Sequence, residues 1–210
     1  MNKWVIFDVM GVIFTVGDDT NDLLVPFVQE RNKMITKEEI NIAYMDASLG
    51  KITSNEFWRN VGICQPGEEQ KLCRTYLDTC LTLDNNFVQI AERLKNYYHL
   101  AILSNDVSEW SVYLRKKYGI DDLMEFSIIS GDVMCRKPNK RIYQIALEHT
   151  KEDAANCVFV DDRDKNLIPA LEQGMKVIRF LRDEDRTELD NVVTISGFLE
   201  LEETLKKIWH

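Results

Sequence analysis

The chain has 210 residues, 45% of them hydrophobic, and a formal net charge of −9 at pH 7. This length suffices for one hydrophobic core with a smaller insert, and the acidic balance argues against a nucleic-acid or anionic-membrane partner, because polyanions bind through basic patches. Five cysteines without a Cys-x-x-Cys pair indicate neither a zinc site nor a disulfide framework, and no apolar stretch reaches membrane-spanning length, so a soluble cytoplasmic protein is expected.

The first predicted strand ends at an aspartate. Val5, Ile6 and Phe7 are apolar without alternation, as expected of a central parallel strand that is covered on both faces. Asp8 follows at the carboxyl end of the strand, where open α/β sheets bind ligands. This stretch alone fits a turn-capping aspartate equally well, so the sequence that follows must decide between the two interpretations.

Residues 15 to about 85 have helical rather than strand periodicity. Four helices are predicted there, the second opened by the capping box Thr36-Lys37-Glu38-Glu39. Some seventy residues exceed what a β-α-β connection needs. The prediction is therefore a helical cap at residues 15–85, inserted into a core domain made of residues 1–14 and 86–210.

From residue 86 onward, predicted helices and strands alternate. Strands are expected at residues 100–103, 126–129, 157–160, 177–180 and 192–195, and the Lys137-Pro138 pair is expected to open the helix after the second of these. Such alternation predicts an α/β fold, a doubly wound parallel Rossmann-like sheet, with the small all-helical cap inserted after its first strand.

Polar residues stand at the ends of four predicted strands. In a right-handed doubly wound sheet, these ends converge on one rim. Any one cluster could be a helix cap or a solvated turn, whereas four at equivalent places indicate a site. The residues are Asp8 after the first strand, Ser104 and Asn105 after the second, Lys137 after the third, and Asp161 and Asp162 after the fourth.

The residue types at this rim indicate phosphoryl chemistry. Three crowded carboxylates, Asp8, Asp161 and Asp162, would repel one another unless a cation lay among them, and Mg²⁺ prefers few carboxylates together with water and phosphate oxygens. Asp8 can attack phosphorus to form an aspartyl-phosphate that water then hydrolyses.

Three further side chains have roles around the transferred group. The Ser104 hydroxyl and the amide hydrogens near Asn105 would hold the phosphoryl oxygens, and Lys137 would neutralise charge on the phosphate and the nucleophile. The expected partner is therefore a small phosphorylated metabolite. The protein itself is expected to be a monomer or a homodimer.

The whole chain resembles the haloacid dehalogenase superfamily of phosphohydrolases. The matching pieces, in the family's order, are IFDVMGV, LSN, RKPNKRIYQIAL and FVDDRDKNLIPALEQGMKV. The helical insert lies where that superfamily places its type 1 cap. The pairing of DD-x-x-x-N with RKP is similar to the subgroup of sugar-1-phosphate phosphatases and epoxide hydrolase amino-terminal domains.

The resemblance implies a role for each matching residue. It implies Asp8 as nucleophile, Ser104 and Lys137 as phosphate binders, and Asp162 with Asp161 as ligands of Mg²⁺. The subgroup implies hydrolysis of a phosphorylated metabolite such as a sugar phosphate.

Met10 departs from the family pattern. Phosphatases of this superfamily usually carry a second aspartate there, which protonates the leaving group and then activates water. A methionine cannot supply a proton, and such acid-base help is typically worth about 10²- to 10⁴-fold in rate. The backbone carbonyl of Met10 can still ligate Mg²⁺.

Three functions remain open at this point. The leading expectation is a Mg²⁺-dependent phosphatase for a substrate with a good leaving group. A 2-haloacid dehalogenase would need no general acid, but it uses no metal, and Asp161 and Asp162 would repel an anionic haloacid. An inactive or weakly active relative that binds a phosphorylated ligand or a protein is the third possibility, motivated by Met10.

Overall fold

A single sheet of six parallel strands forms the centre of the molecule. The structure, a computed structural model, describes residues 2–15, 18–181 and 189–209. The strand order is β3-β2-β1-β4-β5-β6, which places the first strand between the second and the fourth. The strands are β1 (Trp4–Phe7), β2 (His99–Ser104), β3 (Phe126–Ile129), β4 (Cys157–Asp161), β5 (Lys176–Phe180) and β6 (Thr194–Ile195).

Helices precede, follow or connect these strands. Five of them, α1 to α5, lie between β1 and β2 in the chain, and α1 is preceded by a π-helical turn at Thr20–Leu24. None of the described helices is both long and apolar enough to cross a membrane. The α-helices are α1 (Val25–Arg31), α2 (Lys37–Ala47), α3 (Ser54–Asn60), α4 (Glu69–Cys80), α5 (Phe87–Leu94), α6 (Ser108–Lys117), α7 (Ser130–Val133), α8 (Lys140–Thr150), α9 (Asp164–Glu172) and α10 (Phe198–Trp209).

Both faces of the sheet are covered. Along β1, Val5 and Phe7 belong to one hydrophobic cluster and Trp4 and Ile6 to the other, and all four side chains are buried. The uninterrupted apolar run of β1 thus reflects burial on both sides, since side chains alternate between the faces of a strand. The prediction of an α/β fold with a doubly wound parallel sheet is confirmed.

Two local predictions differ from the structure. The last strand is only Thr194–Ile195, shorter than the expected 192–195. Lys137 and Pro138 precede α8 rather than opening it, because the side chain of Asn139 accepts a hydrogen bond from the Arg141 amide at 2.9 Å and so caps the helix.

The segment between β1 and β2 packs tightly on α7, the short helix after β3. The Ser130 hydroxyl donates a hydrogen bond of 2.6 Å to the Ser48 carbonyl, just past the end of α2. Gly50 has a φ of +68°, and a Cβ atom there would lie 2.3 Å from the carbonyl oxygen of Gly131. A glycine is therefore required at position 50 by both backbone conformation and space.

Substitution of this glycine tests that contact. Gly119 is a matched control, because its φ is +66° and nothing lies within 4 Å of its missing Cβ. Gly119→Ala should lower the free energy of unfolding by about 1–2 kcal/mol, the usual cost of a left-handed residue with a side chain. Gly50→Ala should lower it clearly further, as measured by urea denaturation. Equal losses in the two variants would contradict the close approach.

Candidate active site

A buried lysine connects two carboxylates at the centre of the rim. The Lys137 ammonium lies 2.8 Å from Asp8 Oδ1 and 2.7 Å from Asp161 Oδ2, and its side chain is completely buried. Burial by itself would lower the pKa of Lys137, but the carboxylates of Asp161 and Asp8 together raise it above its ordinary value. Lys137 is therefore a fixed positive charge between the two strand ends.

The sheet brings these carboxylates together through strand order. Asp161 is the last residue of β4, and Asp8 directly follows β1, its amide donating a 2.8 Å hydrogen bond to the Val160 carbonyl. Because β1 and β4 are neighbours in parallel, both carboxylates emerge at the same edge. Burial raises the pKa of Asp8 to about 7, even though Lys137 and the Val9 amide favour its charged form.

A third carboxylate completes a cluster that fits a divalent cation. Asp8, Asp161 and Asp162 each offer an oxygen, and these oxygens lie within 4.8 Å of one another. Asp162 Oδ1 is buried and has no hydrogen-bond partner among the described residues. Burial, followed by the repulsion of Asp161 and Asp8, raises the pKa of Asp162 to about 9. Three carboxylates thus face two cations, the Lys137 ammonium and the Arg163 guanidinium, which lies 3.8 Å from Asp162 Oδ2. A metal ion would relieve the remaining excess of negative charge.

Gly11 leaves the space that Asp162 occupies. A Cβ at Gly11 would lie 2.3 Å from Asp162 Oδ2, and the residue has a φ of +82°. A larger residue at this position would push Asp162 away from the other two carboxylates. The glycine that follows Met10 therefore helps to shape the cluster.

Asn105 holds the backbone of Lys137 in place. Its side-chain nitrogen donates to the Lys137 carbonyl at 3.0 Å, and its side-chain oxygen accepts from the Lys137 amide at 2.8 Å. These two bonds connect the end of β2 to the loop that carries the lysine. Ser104 is also buried, and its hydroxyl oxygen has no hydrogen-bond partner among the described residues.

A cavity of about 200 Å³ opens beside Asp8. Its walls come from the sheet rim and from the segment between β1 and β2. Asp8 belongs both to this cavity and to the carboxylate cluster, whereas Ser104, Asp161 and Asp162 are not among the lining residues. The lining residues are Asp8, Met10, Asp19, Thr20, Tyr44, Met45, Asn105, Arg136, Lys137, Pro138, Arg163, Lys165 and Asn166.

The structure thus brings most of the sequence-predicted residues together. Lys137 contacts Asp8 and Asp161 directly, Asp162 lies beside them, and Asn105 holds the lysine backbone. Met10 and Asn105 line the cavity with Asp8. Ser104 forms no hydrogen bond through its side chain to any other described residue.

Other residues of the site escaped the sequence analysis. Asn166 donates to both oxygens of Asp161, at 3.0 and 3.1 Å, and its signal was the DD-x-x-x-N spacing. Asp106 is fully buried, and burial raises its pKa well above the ordinary range; it directly follows Ser104-Asn105 in the sequence. Asp19 had no comparable signal, because it lies in the predicted cap far from any strand end.

Arg136 joins the rim to α2. Its guanidinium donates a hydrogen bond to the Ser48 hydroxyl and lies 5.5 Å from the centre of the Tyr44 ring. The Tyr44 hydroxyl in turn donates to the Asn105 carbonyl at 3.4 Å. Residues of α2 therefore form part of the cavity wall and are tied to the sheet rim.

Two known enzymes are similar to this chain over most of its length. A sesquiterpene phosphatase of Aspergillus oryzae is 27% identical over 82% of this chain and 87% of its own length. A pyrimidine 5′-nucleotidase of Escherichia coli is 21% identical over 97% of this chain and 98% of its own length.

Solved structures share the fold. A haloacid dehalogenase family enzyme of Bacteroides thetaiotaomicron, solved in complex with magnesium and inorganic phosphate, has a TM-score of 0.69, 18% identity and coverage of 89% of this chain and 98% of its own. A 2-haloacid dehalogenase of Pseudomonas syringae has a TM-score of 0.71 and 17% identity, with both chains fully covered. A family model for haloacid dehalogenase-like hydrolases matches residues 3–174, and the chain belongs to that family of hydrolases.

Proposed function

We propose that this hydrolase is a Mg²⁺-dependent phosphatase that acts on a small phosphorylated metabolite, such as a sugar phosphate, through an aspartyl-phosphate. The observation that carries the proposal is the position of Asp8, which faces the cavity, belongs to the carboxylate cluster and is paired with Lys137 at 2.8 Å. The phosphatase and the nucleotidase among its relatives support phosphate-ester hydrolysis. The small cavity favours a small substrate.

The chain's own residues can carry out the transfer. The Asp8 carboxylate attacks phosphorus, which forms the Asp8–phosphorus bond and breaks the bond to the leaving oxygen. Lys137 favours the ionised form of Asp8 and balances charge on the phosphoryl oxygens. The unpartnered Ser104 hydroxyl and the loop at Asn105 are proposed to hold phosphoryl oxygens, as expected from the sequence.

A magnesium ion fits the excess of carboxylates at the rim. Asp8, Asp161, Asp162 and the backbone carbonyl of Met10 are the proposed ligands, and the unpartnered Asp162 Oδ1 supports this set. When bound, the ion would neutralise charge on the phosphoryl oxygens. Asp161 already accepts hydrogen bonds from Lys137 and Asn166, whereas Oδ1 of Asp162 accepts none from the described residues, so Asp162 is the carboxylate best able to bind the ion.

We further propose that residues 15–85 act as a cap that contacts the leaving group. Thr20, Tyr44 and Met45 from this segment line the cavity together with residues of the strand ends, which in this proposal bind the phosphoryl group. Substrate selectivity would then depend on the cap, because the chemistry at the rim is common to all phosphate esters.

Dehalogenase chemistry is less compatible with this rim. A haloacid is itself an anion, and the three clustered carboxylates, which outnumber the paired cations Lys137 and Arg163, would repel it. Assay with and without EDTA separates the two reactions, since the dehalogenase uses no metal.

The nucleophile can be tested by an isosteric substitution. Asp8→Asn should abolish hydrolysis of 4-nitrophenyl phosphate and of sugar phosphates, because an amide cannot attack phosphorus at a useful rate. Acid quenching of wild type during turnover should trap a phosphoenzyme that the variant lacks, and circular dichroism should show the same fold in both proteins. Residual turnover above a hundredth of the wild-type rate would rule out the covalent route.

The cluster can be tested through stability. Because the raised pKa of Asp162, about 9, lets the folded protein keep a proton that the unfolded chain loses above about pH 4, the free energy of unfolding should fall as pH rises between these values. In EDTA, Asp162→Asn should therefore be more stable than wild type, with a difference that grows from pH 5 to pH 9.

Magnesium should reverse that ranking. Excess MgCl₂ should raise the thermal midpoint of wild type and leave Asp162→Asn nearly unchanged. Asp122→Asn, which removes an exposed carboxylate, is the control and should respond to MgCl₂ as wild type does. A wild type that MgCl₂ does not stabilise would count against a metal site at the cluster.

A further inference from the structure

The cavity contains a second carboxyl group that the reaction described so far does not use. Apart from Asp8, Asp19 is the only carboxyl among the described residues that line the cavity. Its side chain is almost completely buried, with the residue 9% exposed. Met10 lines the same cavity and has no proton to give.

The other lining groups are poor proton donors near neutral pH. Burial raises the pKa of Tyr44 well above 10. Lysine and arginine side chains ordinarily keep their protons at neutral pH, and Lys137 is held by two carboxylates. Burial raises the pKa of Asp19 to about 6, although the nearby charges of Arg163 and Arg136 favour its ionised form.

Asp19 also lines the cavity from a different part of the chain than Asp8 does. It directly precedes the π-helical turn Thr20–Leu24, and Thr20 is its neighbour in the cavity wall. Asp8 belongs to the part of the wall that the sheet rim forms. In phosphoryl transfer the attacking and leaving oxygens are roughly in line with phosphorus, so the leaving oxygen departs away from Asp8.

A purely structural role for Asp19 is less well supported. Arg163 pairs with the carboxylates of Asp18, at 3.7 Å, and of Asp162, at 3.8 Å, and Asp18 also accepts hydrogen bonds from Asn21. Asp19 forms no ion pair with another described residue. The charged and titratable groups around it are Asp18, Tyr44, Tyr76, Asp106, Arg136 and Arg163.

We propose that Asp19 is the general acid and base of this enzyme, in place of the aspartate that Met10 replaces. The inference rests on the proposed phosphatase function and adds a catalytic residue to it.

Two proton transfers describe its role. As Asp8 bonds to phosphorus and the bond to the leaving oxygen breaks, the Asp19 carboxyl gives its proton to that oxygen, and the alcohol leaves. Water then attacks phosphorus and breaks the bond to Asp8, while the Asp19 carboxylate takes the proton from the water. Inorganic phosphate is released, and Asp8 and Asp19 return to their starting states.

Leaving-group dependence tests this role. Asp19→Asn should lower kcat/KM by about 10²- to 10⁴-fold for an alkyl phosphate, whose alkoxide needs a proton, and by less than about tenfold for 4-nitrophenyl phosphate, whose phenolate does not. The ratio kcat/KM reports only the steps up to the first irreversible one, which is formation of the aspartyl-phosphate. Loss of the base slows the later hydrolysis of that intermediate, so it should lower kcat and produce an initial burst of one 4-nitrophenol per active site.

Three further variants make the test specific. Asp18→Asn is the matched control, since asparagine can still cap the following turn, and its ratio of alkyl to aryl kcat/KM should match that of wild type. Asp19→Glu keeps a carboxyl and should retain part of the alkyl-phosphate rate. Met10→Asp, added to Asp19→Asn, should restore alkyl-phosphate hydrolysis by returning a carboxyl beside Asp8.

Several outcomes would overturn the inference. These are equal losses on both substrates in Asp19→Asn, the same selective loss in Asp18→Asn, or full activity of Asp19→Asn on alkyl phosphates. If Asp19→Asn does not fold, Asp19→Glu takes its place. Equal losses of kcat/KM on the alkyl phosphate and on 4-nitrophenyl phosphate in that variant would count against the inference. Failure of wild type to hydrolyse even 4-nitrophenyl phosphate with MgCl₂ would instead refute the proposed function, and this inference with it.

Discussion

The geometry of the rim depends on one buried ammonium group between two carboxylates. Lys137 contacts Asp8 and Asp161 with no exposure to solvent. Removing one partner from such a group typically costs about 3–5 kcal/mol, because it leaves an uncompensated buried charge. The ends of β1 and β4 and the loop before α8 are therefore held in one arrangement by electrostatics as well as by the sheet. The remaining carboxylate, Asp162, lies 3.8 Å from the Arg163 guanidinium, but its buried Oδ1 has no hydrogen-bond partner among the described residues, and this oxygen makes the rim suitable for a cation.

Much of this rim follows from local sequence. The apolar runs of β1, β2 and β4 predict buried parallel strands, and the rule that their carboxyl ends share one edge places Asp8, Ser104 and Asp161 together without further information. The position of Lys137 was predicted through its strand, although the helix after it begins later than expected, at Lys140. The start of this helix depends on the cap that Asn139 provides and on the two hydrogen bonds between Asn105 and the Lys137 backbone. Only the folded chain shows these contacts.

The residues supplied by the helical segment were not predictable in the same way. Asp19, Thr20 and Tyr44 reach the cavity because α2 and the turn before α1 pack on the rim through contacts distant in sequence, such as Ser48 with Ser130. Helical periodicity indicates which face of a helix is apolar, but not where that face docks. A buried aspartate inside a helical segment therefore has no sequence signature that distinguishes it from a solvated one.

The adjacency of Arg136 and Lys137 has a mechanical consequence. Arg136 bonds to Ser48 beyond the end of α2, and the next residue carries the ammonium that neutralises Asp8. A displacement of α2 away from the rim must either break the Arg136–Ser48 hydrogen bond or move the Lys137 backbone, which Asn105 holds through two hydrogen bonds. The position of α2 is thus coupled to the charge around Asp8, because the residue that contacts α2 and the residue that pairs with Asp8 are joined by one peptide bond.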